Sequence, residues 1–86
     1  MELSEFMLSE KASIDKFEEG SLIVDDDAQT VLCLGKFETS ILDLLLTKGR
    51  TETITILKHQ YNDDRMEDDI NEFCNNLIRR SVIIRR

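Results

Sequence analysis

The sequence predicts an α+β domain with a three-stranded antiparallel sheet followed by three helices. Two observations predict it. Apolar runs containing β-branched residues fill residues 12–34 and are separated by clusters of turn-forming residues. After Gly35 the apolar spacing changes to a helical period, which recurs in three segments as far as Ile78.

The elements follow in chain order. Residues 1–10, MELSEFMLSE, are acidic and weakly amphipathic, and are expected as an arm or a short helix packed on a domain of residues 11–86. Ile14 and Phe17 belong to a first strand, ended by the turn Glu18-Glu19-Gly20. Ser21, Leu22, Ile23 and Val24 form a second apolar run. Asp25-Asp26-Asp27 interrupts it with side chains that bond their own backbone in turns. Residues 29–34, QTVLCL, form the third strand, and the two runs flanking the aspartates make an antiparallel hairpin.

Phe37, Ile41, Leu44 and Leu45 then recur at helical spacing, widened by Leu42 and Leu46, and Gly49 ends that helix. A second helix is expected from Thr51, as N-cap, with Ile54, Leu57 and Tyr61 on one face, although its Thr and Ile have poor helix propensity. Asp64 and Glu67 are spaced as a capping box for the third helix, whose stripe is Ile70, Phe73, Cys74, Leu77 and Ile78. Val82, Ile83 and Ile84 add a strand or cover the core. The order is winged-helix-like, and nothing in it blocks the outer edge of residues 29–34.

Composition narrows the function. Eighty-six residues make one small domain; 41% are hydrophobic and 34% charged. The net charge of −7 opposes nucleic-acid binding, which needs clustered Lys and Arg. Asp68, Asp69 and Glu72 on the third helix oppose a DNA-reading role for it. Arg79, Arg80, Arg85 and Arg86 are a local basic exception, the first two complementing a helix C-terminus. The N-terminal residues have no signal-peptide pattern and no apolar run approaches membrane-spanning length, so a reduced, cytoplasmic protein is expected.

Two cysteines support neither a disulfide framework nor a four-ligand metal site, and Cys33 and Cys74 are both expected as small buried hydrophobes. A calcium loop begun at Asp25 puts Thr30 where glycine is needed and Lys36 where the bidentate glutamate belongs. Begun at Asp27, it places Glu38 correctly but buries Val31 and Leu32 in the loop. His59 is the one histidine, with nothing to place it beside a thiol. Gly20-Ser21-Leu22 lacks the aspartate of a carrier-protein attachment site. No catalysis, metal or cofactor is expected.

The segments VLCLGKFETSILDLL, TKGRTETITILKHQYND and DDINEFCNNLIRRSVII resemble the PqqD-like family. Leu34, Ile41, Leu42, Leu44, Leu45, Gly49, Thr51, Tyr61, Phe73 and Leu77 fill its hydrophobic and turn positions. KFEEGSLIV resembles its first hairpin, and the likeness spans residues 11–84. Gly35 stands where the family has Asn, and Leu46-Thr47-Lys48 lengthens the passage from helix to turn.

The resemblance implies a recognition element for ribosomally synthesised, post-translationally modified peptides (RiPPs). Such an element binds the leader of a precursor peptide by adding it to the third strand, against the third helix, and presents it to a modifying enzyme. The hairpin points to a radical S-adenosylmethionine enzyme as client. A lasso-type leader peptidase is the second option, although the Gly-x-Tyr-Tyr stretch of those relatives is absent. The implied peptide-binding residues are Gln29, Thr30, Val31, Leu32, Cys33 and Leu34 on the strand, with Met66, Asp69, Phe73, Asn76 and Arg80 on a flank of the helix. Leu77 is counted with them as well as with the core. Alternation puts Leu32 and Leu34 on the core face and Val31 and Cys33 on the other. A winged-helix transcription regulator and a non-catalytic interaction subunit are the alternatives. The open edge also permits a homodimer.

Overall fold

A computed structural model of the chain describes residues 4–26 and 30–86, with the backbone alone at Thr30. The order is β1 (Phe6–Leu8), β2 (Ala12–Phe17), β3 (Gly20–Asp25), β4 (Thr30–Gly35), α1 (Lys36–Lys48), α2 (Arg50–Tyr61), α3 (Met66–Arg79) and β5 (Ile83–Arg85). β2, β3 and β4 form an antiparallel meander in that spatial order, so β4 is an edge strand. The expected α+β architecture of three strands followed by three helices is present. Asp27 and Gln29 lie outside the described residues.

The register puts Ser21 opposite Leu34, Ile23 opposite Leu32 and Val24 opposite Val31. Successive side chains alternate between faces. Ser21, Ile23 and Leu34 are buried and Leu32 half-buried, whereas Val31 and Cys33 are exposed. Cys33 therefore departs from its expected burial: it stands on the uncovered face, while Cys74 is buried. Ser21 ties the sheet to α1. Thr39 Oγ1 gives its proton to the Gly35 carbonyl at 2.8 Å, so the 2.8 Å contact between the two hydroxyls is donated by Ser21 Oγ.

The N-terminal segment is neither a free arm nor a helix where it is described. Phe6–Leu8 pairs antiparallel with Ile83–Arg85 as a second, two-stranded sheet. Phe6 is fully buried, with the guanidinium carbons of Arg50 and Arg85 5.8 and 6.0 Å from its ring centroid. Ser4 Oγ donates to the Leu45 carbonyl, and Glu5 Oε1 accepts the Arg50 N–H at 2.8 Å. This carboxylate satisfies a free donor at the start of α2. The helix begins at Arg50 with Gly49 as N-cap, not at Thr51.

The capping box expected at Asp64 and Glu67 does not form. Asp63 Oδ1 accepts the Arg65 N–H at 2.9 Å, and Glu67 lies 3.5 Å from Lys58 Nζ. Phe37 and Tyr61, expected on buried stripes, are 44% and 48% exposed. They pack edge to face across α1 and α2, with centroids 5.5 Å apart. Beneath them Leu42, Leu45, Leu57, Ile70, Cys74, Leu77 and Ile83 form the core that joins the helices to both sheets.

Candidate functional site

Two features meet at β4. Its outer side has no partner strand among the described residues, and alternate N–H and C=O groups along an edge point away from the sheet. Beside it a groove of about 170 Å³ runs between β4 and α3, lined by Leu32, Cys33, Leu34, Glu38, Phe73, Asn76, Leu77 and Arg80. Its apolar floor is built by local rules. Strand alternation turns Leu32 and Leu34 inward, and the i, i+4 spacing of Phe73 and Leu77 brings them to one side of α3.

Seven of the sequence-expected residues thus come together: Leu32, Cys33, Leu34, Phe73, Asn76, Leu77 and Arg80. Val31 is 60% exposed on the far face of the same strand. Thr30 contributes described backbone to the edge, and Gln29 lies outside the described residues. Two expected residues do not join. Met66 is buried in the core, four residues before Ile70 on its stripe, and Asp69 is exposed without lining the groove. Glu38 was not expected. It lines the groove while its Oε1 accepts the Gly35 N–H at 3.1 Å. Its spacing three residues after the N-cap Gly35 is a capping signal, but at a glycine N-cap that signal has no reciprocal side chain.

Polar groups occupy the rim. Arg79 Nη1 donates to Asn76 Oδ1 at 3.2 Å, leaving the Asn76 amide hydrogens free of described partners. The exposed Arg80 guanidinium forms no hydrogen bond or ion pair with a described residue. The floor offers shape and apolar area, the edge offers backbone hydrogen bonds, and the rim offers charge. That combination suits an extended peptide.

Two larger clefts lack such an edge. One of about 410 Å³ between α1 and α2 is lined by Phe37, Ser40, Asp43, Leu44, Leu57, Gln60 and Tyr61, and one of about 270 Å³ lies over Arg50, Ile54 and Lys58. Among the described residues no group of three His, Cys, Asp or Glu side chains is placed to hold a metal ion. Burial pushes the Cys74 thiol above its ordinary value despite the nearby Arg50 guanidinium, which favours an inert, protonated thiol. No helix is long and apolar enough to cross a membrane among the described residues.

Two solved structures are similar to this chain. One, described as lasso peptide synthetase B1 complexed with the leader peptide, is 21% identical, covers 94% of this chain and 99% of its own, and superposes with a TM-score of 0.79. The other, TbiB1 in complex with the TbiA(beta) leader peptide, is 19% identical, with 88% and 92% covered and a TM-score of 0.75. This chain shares the fold of both structures. No protein-family model and no curated protein matches the sequence. The shared fold spans nearly the whole chain and is the architecture that the PqqD-like resemblance implied.

Proposed function

We propose that this chain is a non-catalytic recognition element that binds the leader region of a ribosomally made precursor peptide and presents it to a modifying enzyme. The leader adds as a strand to the free edge of β4 and lays alternate side chains into the groove against α3. The observation that carries this reading is the unpartnered edge of β4 beside that apolar groove. The fold comparison supports it, because both similar structures are described as holding a leader peptide.

The client enzyme is the finer part of the proposal. The KFEEGSLIV hairpin favours a radical S-adenosylmethionine enzyme, whereas one of the similar structures is described as a lasso peptide synthetase B1 and favours a lasso-type leader peptidase. We give the lasso-type client precedence, since the fold likeness spans nearly the whole chain. The proposed setting is the cytoplasm, where precursor and enzyme are made. The same edge would let two copies pair as a homodimer, in competition with the leader. A DNA-binding regulator is disfavoured by the exposed Glu67, Asp68, Asp69 and Glu72 on α3, which repel phosphate.

The test is calorimetric titration with the synthetic leader of the precursor encoded beside this gene. Saturable one-to-one binding is expected, and no detectable heat at high micromolar peptide would overturn the reading. Comparing leaders encoded beside a leader-peptidase gene with leaders encoded beside a radical S-adenosylmethionine enzyme gene separates the two clients.

A further inference from the structure

Arg80 is the one groove-lining residue with a positive charge, and its guanidinium has no partner among the described residues. It stands on a chain whose net charge is −7. Elsewhere on α3 the exposed charges of the first half are Glu67, Asp68, Asp69 and Glu72, so a carboxylate brought against that half meets repulsion. At the other end Arg79 is turned onto Asn76 Oδ1, and Arg80 alone lines the groove with a positive charge. An acidic side chain on a bound strand therefore has one favourable position along the helix, the Arg80 end of the groove. The floor beside that position is apolar, formed by Leu32, Leu34, Phe73 and Leu77.

Resting on the leader-binding reading, we propose that the groove selects a class of peptide: an extended segment with a large aliphatic side chain and an Asp or Glu within two residues of it. The aliphatic group enters between β4 and α3, and the carboxylate meets the Arg80 guanidinium, whose planar fork matches a carboxylate with two parallel hydrogen bonds. Residues two apart on a strand share a face, so both groups reach the groove from one strand. The ion pair fixes the register of the added strand, which backbone bonds alone leave free to slip.

Panning a displayed library of random decapeptides against the wild-type chain, Arg80→Glu and Arg80→Ala tests the inference. Wild type should enrich aliphatic residues with a nearby Asp or Glu. Its best synthetic peptide should bind about fivefold more tightly than the version with that acid changed to Lys, the size of a well-placed rim ion pair. Arg80→Glu should reverse the preference and Arg80→Ala abolish it, and added salt should shrink it. Enrichment of aliphatic peptides with no acid preference, or with the same preference in all three chains, overturns the charge selection and leaves leader binding standing. Absence of any enrichment over bare resin overturns both.

Discussion

Gly20 holds φ at +155°, and a Cβ on it would stand 2.0 Å from the Leu34 carbonyl oxygen. Gly20→Ala should therefore force β3 away from the end of β4 and cost at least about 2 kcal/mol, read from chemical denaturation. Glycine as turn punctuation was legible from EEG, but the close approach to Leu34 was not, because it depends on the register of a third strand. The buried hydroxyl pair allows a milder test. Ser21→Ala removes one donor and leaves Thr39 bonded to Gly35, so a loss of about 1 kcal/mol is expected, whereas Thr39→Val strands the buried Ser21 hydroxyl and should cost about 1–3 kcal/mol. The two thiols differ sharply. Brief treatment of the folded chain with iodoacetamide should label exposed Cys33 and spare buried Cys74, as peptide mass spectrometry reads, and labelling of Cys74 at an equal rate would contradict its burial. Alternation set Cys33 with Val31 on the face opposite Leu32 and Leu34; that this face is uncovered was hidden by VLCL, whose unbroken apolar run carries no polar residue to mark it.

Among the elements, the helices were the most legible and their ends the least. The stripe of α3 is regular enough to place Ile70, Cys74 and Leu77 in the core, and its four-residue step also places Met66 there, which corrects the assignment of Met66 to the groove. The start of α2 was illegible for a different reason: the acceptor for its first N–H is Glu5, 45 residues earlier in the chain. The β1–β5 sheet has the same non-local origin. Its two strands are only three residues each and lie near opposite ends of the chain, so neither carries a periodic signal of its own. Packing nevertheless makes this sheet structurally important. Phe6→Ala should cost about 3–5 kcal/mol, because the ring is fully buried between the helices and β5. Guanidinium denaturation of that variant checks the value, and a loss below about 1 kcal/mol would mean that β1 is dispensable.

For the whole molecule, the candidate site joins an element read by alternation to one read by helical period, and both were legible before their juxtaposition was. Leu34, Phe73 and Leu77 were assigned from local pattern, yet only the packing of β4 beside α3 shows that they share a groove and that Glu38 belongs to its wall. The acidic surface and the basic end of α3 likewise became a directional field only when folded together. Everything proposed for this molecule turns on the free edge of β4 receiving a peptide strand. Amide hydrogen exchange, with and without saturating leader peptide, tests it most directly. Slowed exchange is expected at alternate amides within Thr30–Gly35, with protection of the C-terminal half of α3 and no change at the edge of β2. Slowing confined to β2 or to the Phe37–Tyr61 cleft, with the β4 amides exchanging as in the free chain, would contradict it.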